Sequence, residues 1–259
     1  MNKIIILIFT SLLITACDNA SSEAQKILLS NNYNFVTQPE FTPNSKPTKK
    51  QLITTYSVDT NAPSIFSIES NSNGFITNTT EFDSNNKIVV DYNNLTTNII
   101  KDETQYQYKV VLDDKGNIIK LLDLDNNVTS SVESNEKGRI IKMEGELYGK
   151  DRIEFYQYSD SGLIFYSIKN GNLNNNIYIG YKMETHLFYD KGLLTKSVTN
   201  RFLLVNNKKW QFSPENEKYK NNKETCFYSS HNQYGDWTEG YCENLLNEKT
   251  RTFTRTLEY

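Results

Sequence analysis

The chain has 259 residues, a formal net charge of −3 and a hydrophobic fraction of 37%. That length supports a substantial core, the near-neutral charge argues against a nucleic-acid binder, and too little of the chain is apolar for a polytopic membrane protein. Its 33 Asn against 11 Gly and 5 Pro exclude collagen-like and Pro/Gly low-complexity classes, and its 17 Tyr and 13 Phe exclude a fully disordered chain.

Residues 1–17 read MNKIIILIFTSLLITAC. Lys3 gives a positive start, and Ile4 to Ile14 form an apolar run too short to span a bilayer as a helix. The run ends in Ile14-Thr15-Ala16-Cys17, which resembles the lipobox of bacterial lipoproteins. The resemblance implies a signal peptide over residues 1–16 and Cys17 as the lipidated first residue of the mature chain. The other reading is an ordinary secretory signal that contains a Cys. Several acyl chains on one residue anchor stably, since each buried CH2 is worth about 0.8 kcal/mol. Asp18 resembles the sorting residue that keeps enterobacterial lipoproteins in the inner membrane, which implies a chain facing the periplasm.

Residues 17–62 are rich in Ser, Asn, Thr, Lys and Pro, and read as a flexible, disordered tether that holds the domain off the membrane. Pro39, Pro43 and Pro47, with Pro63 just beyond, break any long helix or central strand. Ser22 with Gln25, ahead of Ile27-Leu28-Leu29, has the form of a capping box on a short helix, with a few loop residues as the alternative. Residues 51–58 fit a first strand.

From residue 63 to 259 short alternating runs take over. Thr104, Tyr106, Tyr108, Val110 and Leu112 share one face, with Gln105, Gln107 and Lys109 opposite. Over 177–189, Met183, Thr185 and Leu187 oppose Lys182, Glu184 and His186. In the last run Thr250, Thr252, Thr254 and Thr256 oppose Arg251, Phe253, Arg255 and Leu257. Period two means half-buried strands, and the short connections make them antiparallel, so the fold class is all-β, a meander of repeated hairpins.

The turns repeat: SNSNGFI (70–76), FDSNNKI (82–88), LDDKGNI (112–118), SNEKGRI (134–140), YSDSGLI (158–164), FYDKGLL (188–194) and HNQYGDW (231–237). Asp and Asn bond their own backbone to start a turn, and Gly, replaced by Asn86 in the second copy, takes the φ > 0 position. YSDSGLI and FYDKGLL resemble the Y-D-x-x-G turn of the Rhs/YD-repeat family. The tail GDWTEGYCENLLNEKTRTFTRTLEY is similar to the closing unit of small secreted or lipid-anchored members. The resemblance implies hairpins stacked side by side in a curled sheet. The toxin-encapsulating role of the large members does not carry over, because the spacing is irregular and no long array or toxin domain follows.

Cys226 and Cys242 lie equally far either side of residue 234, so a hairpin there sets them opposite each other. In an oxidising compartment they are expected to form a disulfide; a metal pair with His231 needs more ligands than the sequence supplies nearby. Asp123-Leu-Asp125-Asn-Asn127 starts like a calcium loop, but Val128 stands where that loop needs Gly, so a hairpin turn is expected. No H-E-x-x-H, G-x-S-x-G, phosphate-binding or dinucleotide motif is present, and no catalytic residue, metal or cofactor is assigned. His186 reads as solvated.

Arg251, Phe253 and Arg255 read as a charged row protecting an exposed edge strand, or, with Lys249 nearby, as a seat for an acidic partner or an anionic glycan. Aromatic pairs such as Phe165/Tyr166 read as cross-strand packing, or as a platform for sugars. The expectation is a lipid-anchored, non-enzymatic envelope protein whose β domain binds or scaffolds a protein partner, including an immunity-type partner of a toxin. The competing expectation is a carbohydrate-binding module or envelope enzyme that uses a cleft on the sheet.

Overall fold

The computed structural model describes residues 23–60, 62–101, 103–147, 150–160, 162–174, 177–205, 208–210 and 222–259. Cys17, Asp18, Ser22 and the signal segment lie outside them. The strands begin with β1 (Lys50–Ser57), β2 (Ser64–Ser70), β3 (Ile76–Glu81), β4 (Asn86–Asp91), β5 (Thr96–Lys101) and β6 (Thr104–Leu112). They continue with β7 (Ile118–Leu122), β8 (Val128–Ser134), β9 (Ile140–Leu147), β10 (Lys150–Ser159), β11 (Gly162–Asn174) and β12 (Ile177–Asp190). The last are β13 (Leu193–Val205), β14 (Lys208–Trp210), β15 (Lys223–Ser229), β16 (Glu239–Asn244) and β17 (Lys249–Glu258).

The meander is antiparallel throughout, and it closes. β17 pairs back onto β1 from Lys50↔Glu258 to Ser57↔Arg251, while β1 also pairs with β2. β13 bonds β15 through residues 196–200 and β14 through residues 203–205, so the ring contains sixteen strands. Closure pairs each of the sixteen ring strands on both sides among the described residues, which is the cure for edge-to-edge association. The curled sheet is therefore a barrel, and β17 is a paired wall strand. The edge-strand role expected of Arg251, Phe253 and Arg255 is thereby corrected.

Alternation sets the two faces of the wall. Ile53, Ile68, Val90, Ile99, Leu121 and Phe253 are buried on the inside. Outside, Lys142 pairs with Glu133 and Glu144, Lys182 with Glu184, and Lys50 with Glu69. Gln105 and Gln107 are exposed between them. A lipid-facing barrel wall carries an apolar band about 25 Å tall. The ion pairs within β9 and β12 interrupt any such band on that part of the outer face. Among the described residues no helix is long and apolar enough to cross a membrane.

One five-residue turn recurs at Asn71–Phe75, Asp113–Asn117, Asp123–Asn127, Asn135–Arg139, Asn232–Asp236 and Asn244–Glu248. In each, the first residue exchanges backbone bonds with the fourth and fifth, and its side-chain Oδ1 accepts the fifth N–H. The fourth residue has φ > 0 and is Gly or Asn. The Asp123 carboxylate is thus spent on a turn. Two of the six copies escape the G-containing pattern because Asn126 and Asn247 replace Gly. In the 82–88 turn the positive φ falls on Asn85, one residue before the expected Asn86.

From residue 23 on, the described part of the region expected to be a tether is folded into the barrel. Helix α1 (residues 23–36) is exposed over its first turn and then buried at Leu29, Asn31 to Asn34 and Val36. Consecutive side chains reach different parts of the wall. Asn31 Nδ2 donates to Asn117 Oδ1 (2.9 Å) and Gly138 O (2.7 Å), and its Oδ1 accepts from Ile140 N (3.0 Å). Asn32 donates to Tyr92 and accepts from Ile76 N. Tyr33 OH accepts from Gln51, and Asn34 donates to Tyr158 OH. A helix satisfied on every side is enclosed, and here it plugs the lumen. Phe35 packs against three separate apolar clusters of the wall.

After α1 the chain turns through Pro39–Phe41, a 3-10 turn with Pro at its start. It returns to the end it came from, where Asn44 N bonds Asp236 and Ser45 bonds Tyr234 O. Pro47 lies against Gly74, whose φ is +84° and where a Cβ would sit 2.6 Å from Pro47 Cβ. The lumen end holding these contacts also holds the β2/β3, β8/β9 and β15/β16 turns and is called the plug end. The domain boundary expected at residue 63 is corrected accordingly: the barrel includes everything from residue 23, because the lumen needs the plug to fill it and β1 to close it.

Candidate functional site

At the plug end, α1, the return segment and the wall leave a cleft of about 360 Å³. Asn34, Glu40, Thr42, Tyr158, Tyr189, Trp237 and Arg255 line it, and the exposed residues Glu23, Lys26 and Asp160 belong to its mouth. Three parts of the chain, separated by more than two hundred residues at the extremes, therefore converge.

Glu40 is 9% exposed. Tyr166 OH donates to its Oε1 (2.9 Å), and Trp237 Nε1 donates to its backbone O (3.0 Å). Burial pushes the carboxyl above its ordinary value of 4.5, against the smaller downward pulls of hydrogen bonds and of the Arg251 charge. Arg255 is 2% exposed. Its Nε donates to Gln51 Oε1 (3.0 Å), its Nη2 donates to Phe41 O (2.8 Å), and its guanidinium stands 4.7 Å from the Trp237 ring centre. Burial pushes Tyr158 up as well.

Among the described residues the buried side-chain polar atoms without a partner include Asn34 Oδ1, Glu40 Oε2, Thr42 Oγ1 and Arg255 Nη1. All four residues line this one cleft. A second cavity, of about 320 Å³, opens at the far end among Val36, Phe66, Ile99, Arg152 and Met183. Its lining residues carry none of these unpartnered atoms, and Arg152 there is held by Glu154, which also takes the Tyr156 hydroxyl.

Glu40 gives a pH prediction. Its folded-state value is raised, so the stability it contributes is complete below about 4.5 and is lost as pH rises through the raised value. Glu40→Gln stays neutral throughout. Urea titrations from pH 4 to 9 are expected to show a flatter stability profile for the variant, with the variant overtaking the parent on the alkaline side. Parallel profiles would mean that Glu40 ionises without strain.

The sequence-derived candidates are distributed as follows. Cys226 and Cys242 form a disulfide across β15 and β16. Those sulfurs lie near Glu224 but, once bonded to each other, offer no thiolate to a metal. His186 lies outside, against Phe165. His231 is tied to Leu194 O. The partner-binding row divides. Phe253 is buried beside Trp237, Arg255 lines the cleft, and Arg251 pairs with Glu224, which also takes Arg201. Sequence reasoning missed Asn34, Glu40 and Thr42, which sat in the presumed tether. Besides the capping-box form at Ser22 and Gln25, the Leu29, Tyr33, Val36 spacing is the signal that could have marked a helix there with something to bury.

No family model matches the chain, and no curated protein matches it. Among solved structures, a porin-like protein from Bacteroides uniformis ATCC 8492 shares 14% identity with a TM-score of 0.46, covering 83% of this chain and 98% of its own. A porin-like protein from Bacteroides vulgatus ATCC 8482 shares 9% with a TM-score of 0.43, covering 81% and 97%. A TcdB2-TccC3 structure shares 15% with a TM-score of 0.34, covering 72% of this chain and 10% of its own.

Proposed function

We propose that this chain is a lipid-anchored protein of the cell envelope whose plugged barrel is a non-enzymatic binding domain, with the plug-end cleft as the binding site. The observation that carries the reading is a cleft of about 360 Å³ at which the plug, its return segment and the wall bring Glu40, Trp237 and Arg255 together, with Glu23, Lys26 and Asp160 exposed among its lining residues. Because β17 is paired on both sides, a protein partner, the toxin-partner version included, would use a face of the wall and not an edge of the sheet.

The lipid anchor rests on the Ile14-Thr15-Ala16-Cys17 motif. Five residues lie between Cys17 and Glu23, the first described residue of α1, and at about 3.3–3.6 Å per residue the two are within about 22 Å of each other. An acylated Cys17 would hold the plug end, and the cleft with it, close to the bilayer. Asp18 favours the periplasmic face of the inner membrane. Cys17→Ser tests the anchor. The parent is expected in the membrane fraction, with acyl chains on Cys17 found by mass spectrometry, and the variant in the soluble fraction. Unmodified Cys17 and an unchanged distribution would refute it.

A further inference from the structure

We infer that the far end of the barrel holds a second site, which takes an amphiphile with one apolar chain and one anionic end group, of the fatty-acid type. The inference goes beyond the binding function proposed for the plug-end cleft and does not depend on it.

The register of the wall shows which side chains face this site. Ile68, Thr79 and Ile99 are buried on the inner face, and cross-strand pairing ties Thr79 to Ile88 and Ile88 to Ile99. Across the lumen the buried Glu154 pairs with Ile168, and Ile168 with Met183. Residues directly opposite in a ladder share a face, so Ile88, Ile168 and Met183 point inward, as does Phe66, two residues from Ile68. These four are only half-buried. Inside a closed wall the surface they leave uncovered opens onto the lumen, and all four line the far cavity of about 320 Å³. That volume holds roughly ten waters at about 30 Å³ each, and apolar walls offer them few hydrogen bonds. A smaller apolar recess of about 50 Å³ shares Val36, Ile88 and Ile99 with the cavity and runs on to the buried Val90, Val110 and Leu121. A room that narrows into a slot fits a chain better than a ring system.

Polarity changes along the strands. Glu81 and Lys101 lie two residues beyond Thr79 and Ile99 on the same inner face, nearer the far end, and with Asn86 and Lys87 they line the mouth of the cavity. Deeper in, Arg152 pairs with Glu154 and lines the recess together with Thr37, just past the C-terminal end of α1. A cation there serves both the carboxylate and the helix end, so the deep part is electrically compensated. At the mouth, Glu81 already accepts from Ser84 and Asn86, and Lys87 and Lys101 give the lining residues an excess of positive charge. An apolar depth behind a cationic mouth orients an amphiphile tail first, with its carboxylate at the two lysines. Val58 and Phe82 are exposed on turns adjoining the lining strands at this end, where they add apolar surface.

The full chain, in phosphatidylcholine vesicles free of detergent, is illuminated with a dodecanoate that carries a diazirine in its chain, and labelled peptides are located by mass spectrometry. Label is expected on the peptides that hold Phe66, Ile88, Ile99 or Met183. Excess dodecanoate is expected to remove it, with dodecylamine about tenfold less effective. Lys101→Glu is expected to lower the yield about three- to tenfold, and Met183→Trp, which fills the cavity, to abolish it. Circular-dichroism melts accompany both variants, and Lys101→Glu carries the test alone if the tryptophan variant melts early. Lys115→Glu, a charge reversal on an exposed plug-end turn, is expected to change nothing. Label that dodecanoate does not displace, equal displacement by dodecylamine, label confined to the outer wall, or indifference to Lys101→Glu would each overturn the inference. Label confined to the plug-end cleft would overturn it too, while leaving the binding function of that cleft standing.

Discussion

Replacing Asn31 with Ala is expected to lower the melting temperature by about 10 °C, on a loss of about 4 kcal/mol. Asn31 is 2% exposed and makes three hydrogen bonds from one side chain. Alanine removes none of the groups at the other ends. Gly138 O, Ile140 N–H and Asn117 Oδ1 stay where the wall puts them, and Asn117 and Ile140 are buried. A buried group without a partner costs more than a made bond gains, and three such groups arise together. The plug also stitches the Asp113–Asn117 and Asn135–Arg139 turns to each other, so amide exchange is expected to quicken in both turns as well as over residues 29–36. Asn94→Ala is the matched control, because Asn94 is exposed and bonds only within its own turn. A loss below about 1 kcal/mol for Asn31→Ala would mean that water replaces all three bonds, and that the lumen around α1 is wet.

The contrast between Asn31 and the strands shows what the sequence could and could not reveal. The alternation at 104–112 places Tyr108 and Val110 inside as expected, because period two is a property of the strand itself. The turns were legible for the same reason, since an Asp or Asn that caps its own backbone needs no distant partner. Closure was not legible. It joins Lys50 to Glu258, and no local pattern tells β1 that its second neighbour is the last strand. The inward face of β17 was misjudged as a consequence. Alternation separated Thr252 and Thr254 from Phe253 and Arg255 correctly, but only a closed barrel explains why a face bearing Arg is the buried one. The plug was hidden by chemistry. Asn31, Asn32 and Asn34 are weak helix formers and strong turn formers, so the segment reads as loop until a wall supplies partners for each amide. The cleft inherits that blindness, since three of its four unpartnered residues or their supports belong to the plug and its return.

Removing the disulfide is expected to cost about 3 kcal/mol and about 6–12 °C in melting temperature. Cys226 and Cys242 are separated by 16 residues and sit directly opposite on β15 and β16. The bond closes a loop whose freedom the unfolded chain would otherwise keep. The pair is best replaced by Ala, because both cysteines are buried beside Trp237 and Phe253, and Ser would add unpaired hydroxyls to the same cluster. The loss should also have a place. The β15/β16 turn carries Asp236, which accepts from Asn44 N and from the Tyr259 hydroxyl, and it leads into Trp237 at the cleft. Loosening this hairpin therefore loosens the return segment. Trp fluorescence is expected to report a transition in the Cys226→Ala/Cys242→Ala variant that precedes the loss of sheet signal in circular dichroism, whereas the parent melts in one step by both probes. Coincident transitions with an unshifted midpoint would show that closure of β17 onto β1 already holds this wall without the crosslink.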